Sequence, residues 1–326
     1  IDAARKATPA AHGSAFPPTA AGTAATPMPG ASATPSVIYV SLTEEELAAL
    51  IDQAVKEAVT ATTTATTTTT TSTSDSALTT QEVQAMQTAA ATATTEINQA
   101  LALAQGYYDL YAEIAPETLA ALQAIEQDLN SMSSSMSSMA TSLSQISTMM
   151  AQGQAATQSA IAQLQSTAQK ASQTAASVQS KEKNWMPTVQ NQITKSGTDA
   201  LNVKPTNVPT DLKGTITNLN GYMDTVRVSL GDGKISKSEL QGISLAGANA
   251  NAGLQKFGGA QSQGLTDGIN AVTKQLARGE APKSKNNVAA LDQSARSFTA
   301  AGGPSLPSSP SVGGGSGPNP PQPPRR

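Results

Sequence analysis

The stretch Leu122–Met150, with the sequence LQAIEQDLNSMSSSMSSMATSLSQISTMM, decides the fold of this chain. Its apolar residues follow one another at alternating steps of three and four, and the positions between them are mostly Ser, Gln, Ala and Thr. This spacing keeps the apolar residues on one face of an α-helix and is typical of coiled coils. The stripe, called the seam below, consists of Leu122, Ile125, Leu129, Met132, Met136, Met139, Leu143, Ile146 and Met150. We predict that it is an assembly seam, which a neighbouring helix must cover.

The composition of the whole chain favours long helices over a large compact core. Aromatic residues make up 3% and charged residues 13% of the 326 residues, and both values are low for a globular protein. Ala, Ser, Thr, Gln and Gly take their place, and such small side chains allow helices to pack closely side by side. We predict an all-α fold of elongated coiled-coil helices, with disordered tails and a linker rich in Pro, Thr and Gly.

The charge and the reactive residues exclude several classes of function. The formal net charge is −3, so the electrostatics do not favour nucleic acid or an anionic membrane as a partner. The chain has no cysteine and one histidine, His12, so it cannot build a thiolate site, a histidine metal cage or a Ser-His-Asp triad by itself. No apolar run reaches the about eighteen residues of a spanning helix. We predict no catalytic, cofactor-binding or metal-ligating residue, no cofactor, no spanning segment and no enzymatic activity.

The N-terminal part of the chain alternates between tail, helix and linker. Residues 1–36 are rich in Pro, Ala and Thr and predict a disordered tail. Residues 37–59 predict a short strand and then an amphipathic docking helix, which Thr43 and Glu46 would begin as a capping box. Residues 60–78 are rich in Thr and Ser and predict a linker, because β-branched Thr disfavours helix. Such a tract can also carry O-linked sugar.

Residues 79–186 predict a long helical coiled-coil region that contains the seam. Two helices are expected, 79–114 and 116–181, with Pro116 at the first position of the second. Trp185, the only tryptophan, lies at the end of this region. We interpret it as an aromatic plug over the helix end, with contact to a partner as the alternative.

The C-terminal part returns to helical periodicity after a break. Residues 187–209 contain three prolines and a glycine and predict a connector. Apolar residues at helical spacing recur over 210–300 and predict further helical segments. Residues 301–326 are rich in Pro and Gly and predict a second disordered tail.

One stretch between the C-terminal helices is similar to part of a calcium site. The second half of an EF-hand loop is matched by Asp232, Gly233, Ile235 and Glu239. The first two side-chain ligand positions of such a loop would hold Val228 and Leu230, which cannot coordinate calcium. We therefore interpret the stretch as a turn between helices, in which Ser236 and Glu239 form a capping box.

Two clusters allow both a structural and a binding role. The methionines of the seam are interpreted as part of a helix–helix contact, with a soft binding groove as the alternative. Tyr107, Tyr108 and Tyr111 lie close together near a predicted helix end, as interface residues do. They have no basic neighbours, so they do not form a platform for nucleic acid.

The chain resembles helical substrates of bacterial export machines. These are flagellin-like proteins and the filament and needle-tip proteins of type III secretion. The resemblance lies in a cysteine-free, aromatic-poor chain with long heptad helices on either side of a less regular middle. Residues 209–257, with their turn at Gly231-Asp232-Gly233, are similar in character to the later part of the secretion filament proteins. The resemblance implies a secreted protein of an extracellular surface appendage.

These observations lead to one functional prediction and two alternatives. The prediction is a non-enzymatic structural subunit of an extracellular filament, appendage or secretion assembly, which forms homo-oligomers or joins a larger assembly through coiled-coil packing. The first alternative is a structural protein of a phage or virus particle, located in the virion or its tail. The second is a helical adhesin or effector that binds a host protein through Trp185 or the turn within residues 231–257.

Overall fold

The computed structural model describes residues 41–302, and this part of the chain is all-α, with no strand. The predicted fold class is confirmed at this level. The helices are α1 (Glu44–Ser72), α2 (Thr80–Tyr111), α3 (Pro116–Ala151), α4 (Gln158–Glu182), α5 (Trp185–Leu201), α6 (Leu212–Ser229), α7 (Lys237–Phe257), α8 (Ser262–Ala277) and α9 (Ala281–Gly302), with a 3₁₀ turn at Gly259–Gln261. The short strand predicted within 37–40 and most of both predicted tails lie outside the described residues.

Helices α1 to α4 form a four-helix bundle. Each packs against the next, and α4 closes the ring by packing against α1. The hydroxyl of Tyr107, near the end of α2, donates to Oε1 of Glu44 at the start of α1 (2.7 Å), so these two helices are antiparallel. Ser177, late in α4, donates to Asp128, early in α3 (2.7 Å), which gives the same relation there. Short connections between antiparallel neighbours are typical of such bundles.

The seam is covered inside the chain rather than by another copy. Eight of its nine residues are at most 1% exposed in the single chain, and Met150 is half-buried. They belong to one core with apolar residues of the other three bundle helices, such as Met86, Ile97 and Leu164. The geometric prediction of a covered stripe is right. Helices α1, α2 and α4 of the same chain supply the partners, so a second copy is not needed to bury the seam, and assembly with other copies or a larger complex stays a prediction.

The predicted linker at 60–78 is wrong over most of its length, because α1 continues through the Thr-rich tract to Ser72. Thr62 and Thr69 are fully buried, so packing in the bundle outweighs their weak helix propensity. Several hydroxyls of the tract are satisfied by carbonyls of the preceding helical turn. Thr63 donates to the carbonyl of Val59 and Thr69 to that of Ala65, both at 2.8 Å. Only residues 73–79 connect α1 to α2.

The single helix predicted over 116–181 is two helices, so this prediction is also wrong. Pro116 does occupy the first turn of α3, but α3 ends at Ala151. Gly153 follows with φ +75°, a conformation that glycine adopts without strain, and the amide of Gln154 donates back to the carbonyl of Met149 (2.9 Å). Thr157 then caps α4. The chain therefore reverses and packs its second stripe against the seam.

The predicted connector at 187–209 is wrong in its first half, which belongs to α5. Pro187 lies in the first turn of this helix, where its missing amide hydrogen costs nothing. Gly197 allows α8 to approach closely, because a Cβ there would lie 3.0 Å from Cγ of Arg278. Residues 202–211 form the irregular connection.

Helices α6 to α9 form a second core, which we call the C-terminal unit. Its buried residues include Tyr222, Ile243, Ile269 and Leu291. Helix α5 joins this unit to the bundle. Trp185 and Val189 at its start lie in the bundle core, whereas its later part packs against α7 and α8.

The predicted helix starts are confirmed where the sequence contained a capping box. Thr43 with Glu46 begins α1, and Ser236 with Glu239 begins α7. In each, the hydroxyl accepts from the third backbone amide while the carboxylate accepts from the cap's own amide.

Candidate interaction groove

An aromatic cluster marks the end of the bundle that contacts the C-terminal unit. The rings of Tyr107 and Tyr111 lie 5.4 Å apart, and Trp185 meets Tyr107 edge-on at 5.5 Å. Nε1 of Trp185 donates to the carbonyl of Ala48 (2.9 Å), so its polar atom is satisfied as well. Trp185 is 1% exposed. Trp185 is therefore buried, as the plug interpretation requires, and it does not offer a surface to a partner.

Glu44, in the first turn of α1, is buried against this cluster and is only 2% exposed. Among the ion pairs within residues 41–302, none engages it. Burial raises the pKa of Glu44 from its ordinary 4.5 to about 7, although the hydrogen bond from Tyr107 acts in the opposite direction. Burial and the nearby Glu44 also raise the pKa values of Tyr107 and Tyr111, so both keep their hydroxyl protons.

The turn between α8 and α9 rests directly on Glu44. The amide of Glu44 donates to the carbonyl of Gly279 (3.1 Å), and the hydroxyl of Tyr111 approaches the same carbonyl at 3.5 Å. Gly279 has φ +67°, and a Cβ at this position would lie 2.6 Å from Cβ of Glu44. Only glycine fits here, because the conformation and the close approach both exclude a side chain.

A groove of about 580 Å³ opens beside this junction, between the bundle and the C-terminal unit. We call it the junction groove. One wall is the α2–α3 turn with the later part of α5, and the other is the first half of α7. Its apolar lining includes Ile114, Ala200 and Leu240, and Leu240 also packs against both cores. The volume lies within the range of natural ligand sites, about 300–1,000 Å³.

Gln192 lines the junction groove and carries an unsatisfied acceptor. Its side chain is 5% exposed, and Nε2 donates to Oγ of Ser196 (2.7 Å) and, at a long 3.4 Å, to the carbonyl of Ile114. Oε1 has no hydrogen-bond partner among the described residues. Such a buried orphan acceptor costs about 1–3 kcal/mol.

Charged groups of both signs surround the junction groove. Lys195 pairs with Glu117, and Oε2 of Glu113 accepts from the backbone amide of Lys237 (3.1 Å). Within residues 41–302 no ion pair engages the carboxylate of Asp199 or the ammonium of Lys237. These two groups lie on opposite walls, α5 and α7, and give the groove one negative and one positive charge.

The residues singled out in the sequence do not form this groove. The seam lies in the bundle core, and its methionines are buried there except for the half-buried Met150. The tyrosine cluster lies next to the groove, with Tyr107 and Tyr111 buried. The turn at Gly231–Gly233 packs near Tyr111 and buries Ile235 at 4% exposure.

The sequence analysis missed Glu44 and Gln192. Glu44 looks like an ordinary acidic residue in a first helical turn, because nothing near it in sequence indicates the glycine turn that covers it. Gln192 lies in a segment whose prolines and glycine predict a connector. Only the two flanking apolar residues Val189 and Ile193, at a spacing of four, could have indicated a helix there.

The described part of the chain has neither a metal-ligating cluster nor a membrane-spanning helix. No group of three or more His, Asp or Glu side chains within residues 41–302 is placed to hold a metal ion. None of the helices in this range is both long and apolar enough to cross a membrane.

No family model, curated protein or solved structure matches this chain.

Proposed function

We propose that this protein is a non-enzymatic helical binding module that acts outside the producing cell, and that the junction groove receives a segment of a partner protein. The observation that carries the proposal is the orphan acceptor of Gln192, buried in a groove with an apolar lining. A free acceptor of this kind favours a ligand that brings a hydrogen-bond donor.

The burial of the seam supports a binding module over a filament subunit. A filament built on the seam would need the seam to be available to neighbouring copies. Here the four helices of one chain already cover it. The exported, extracellular character comes from the resemblance in composition and helix pattern. A polymer built through another surface is the competing function.

The occupant we propose is an extended peptide segment with an apolar centre flanked by a basic and an acidic residue. An apolar side chain would cover Ile114 and Leu240, and a backbone amide of the segment would donate to Oε1 of Gln192. The basic residue would pair with Asp199 on α5 and the acidic residue with Lys237 on α7. Opposite charges at the two walls would fix the direction of the peptide more than they raise its affinity.

The first test is the state of association. The full chain should sediment as a monomer at every concentration in a dilution series. A mass that rises with concentration without limit would support the filament alternative and contradict the binding module.

The second test uses a random peptide library displayed on phage, selected against the full chain. We expect selected peptides to share the apolar centre and the two flanking charges. Gln241 is exposed on the α7 wall, so Gln241→Trp should block the groove and weaken the binding of a selected peptide at least about tenfold. Gln255→Trp, at an exposed position of the same helix outside the groove, is the matched control and should bind normally.

A third variant tests the role of the orphan acceptor. Gln192→Met keeps the length of the side chain but removes the amide. Peptide affinity should fall about five- to tenfold, as expected for one hydrogen bond, while the helical content and the melting temperature stay close to those of the native chain. Undiminished affinity in this variant, or selected peptides that bind the blocked Gln241→Trp protein equally well, would reject the groove as the binding site.

A further inference from the structure

We infer that Glu44 is a proton-operated latch between the bundle and the C-terminal unit: its neutral form holds the two walls of the junction groove at a fixed spacing, and its ionised form releases them. The effect on ligand binding rests on the function proposed above. The latch itself does not, because it concerns the contact between two parts of this chain.

The first step is the confinement of the carboxyl group. Oε1 accepts from the hydroxyl of Tyr107 at 2.7 Å, and the Glu44 side chain lies against Gly279. At 2% exposure there is no room for the water that an ionised carboxylate needs. Hydration of the carboxylate therefore requires the α8–α9 turn to move away from α1.

The second step concerns the groups that face Glu44. From α2 these are the hydroxyls of Tyr107 and Tyr111, and both stay neutral because burial raises their pKa values. From α5, Trp185 packs on Tyr107 and does not titrate.

The cations and anions at this junction are engaged elsewhere. On the α8–α9 turn Nε of Arg278 lies 3.2 Å from Oε1 of Glu280 but makes no hydrogen bond within the described residues, and the stem of Arg278 packs against Gly197 of α5. On α9 Lys283 pairs with Glu46 at 2.9 Å. On α1, Glu45 is exposed. Neither Arg278 nor Lys283 forms an ion pair with Glu44.

The third step links the latch to the junction groove. The turn held by Glu44 connects α8 and α9, and α8 packs against both α5 and α7. Helix α7 is one wall of the groove, and α5 with the α2–α3 turn is the other. Apart from Glu44, a further tie between bundle and α7 is the hydrogen bond from the amide of Lys237 to Glu113 (3.1 Å). Release of the turn removes one of several ties, and the contact at Lys237, the pair of Lys283 with Glu46 and the packing of Leu240 on both cores remain.

The absence of cysteine allows a direct measurement on the full chain. Ala102→Cys on α2 and Asn286→Cys on α9 are both at exposed positions and can carry a pair of spin labels. We expect a narrow distribution of label distances at pH 6 and a broader, longer one at pH 8. Glu44→Gln, which mimics the neutral acid, should give the narrow distribution at both values. Glu45→Gln, which removes an exposed charge from the adjacent residue, should behave like the native protein.

Three results would overturn the latch: an unchanged distance distribution between pH 6 and pH 8, a Glu44→Gln protein that keeps the native pH dependence, or a loss of helical circular dichroism at pH 8 that shows general unfolding instead of release. The affinity of a selected peptide is measured on the same proteins. It should weaken about tenfold at pH 8 in the native chain and stay constant in Glu44→Gln. If no peptide binds although the distance changes, the proposed function fails while the latch stands. If the distance is constant, the latch fails whatever the peptide does.

Discussion

The two ends of the four-helix bundle are built from different residues. The end away from the C-terminal unit contains Thr69, whose hydroxyl points at the sulfur of Met139 (3.5 Å), and Thr73, whose carbonyl accepts from Gln165 (3.2 Å). The end at the junction holds the aromatic cluster and a buried carboxyl. The far end keeps helices together with small and flexible side chains. The junction end uses large rings and a titratable group. The strength of the contact at this end can therefore depend on pH.

The largest effect is expected from a charge in the shared core. Met136→Asp places a carboxylate at a fully buried position of the seam, and a buried unpaired charge costs several kcal/mol. We expect urea denaturation followed by circular dichroism to show loss of most of the bundle's stability. Ser137→Asp, at the exposed neighbouring position, is the control and should have little effect. Equal effects of the two substitutions would contradict a seam buried within one chain.

The next effect is a pH dependence of stability, which is expected from the junction end of the bundle and not from the far end. Because burial raises the pKa of Glu44 to about 7, the folded chain holds this proton more tightly than the unfolded chain, where the ordinary value is 4.5. The contribution of Glu44 to the free energy of unfolding is therefore highest below about pH 4.5, and it is lost as the pH rises through 7. At pH 8 Glu44→Gln should be more stable than the native protein by up to about 3 kcal/mol. Urea titrations at pH 5 and pH 8 measure this difference, and a Gln variant that is less stable at both would show that the carboxylate is stabilising.

A smaller effect should follow from filling the space at the glycine turn. Gly279→Ala meets both a positive φ and the Cβ of Glu44, so we expect a loss of about 2 kcal/mol in the free energy of unfolding. Gly153→Ala is a matched control, because Gly153 has φ +75° but no atom near the added Cβ. It should cost only about 1 kcal/mol. Hydrogen exchange would show where stability is lost. Amides at the start of α1 and α9 should lose protection only in Gly279→Ala.

The smallest effect concerns the Thr-rich half of α1. Oγ1 of Thr62 is fully buried without a hydrogen-bond partner among the described residues. Thr62→Val removes this unsatisfied hydroxyl and keeps the shape of the side chain. We expect a gain of about 1 kcal/mol in the free energy of unfolding. Thr64→Val, at an exposed position where the hydroxyl donates to Thr60, should give no gain.

The sequence predicted helices and their buried faces where the signal was periodic. The seam predicted a covered face, and Thr43 and Ser236 predicted helix starts that the structure has. The Thr tract was wrongly predicted as a linker because Thr has a weak helix propensity, whereas tertiary packing decides its structure. The partner of the seam could not be read, since a stripe of this kind fits a helix of the same chain as well as one of another copy. For α4, one of the three helices that cover the seam, the turn at Gly153 brings the partner from the same chain.

The junction groove lay beyond sequence reasoning for a different reason. Its walls come from three separate segments, around Ile114, Gln192 and Leu240, and no local pattern connects them. The burial of Glu44 depends on Gly279, more than two hundred residues further along the chain. Contacts of this range are fixed only when both cores have formed.

Oxidation of the seam methionines would report how often the bundle opens locally. Met132, Met136 and Met139 are fully buried, so peroxide can convert them to sulfoxides only while the bundle is transiently open. Met149 and Met150, half-buried at the end of α3, should be oxidised first. Mass spectrometry can follow the order in which the methionines of α3 become sulfoxides. This order would rank the local opening rates from the C-terminal end of α3 inward.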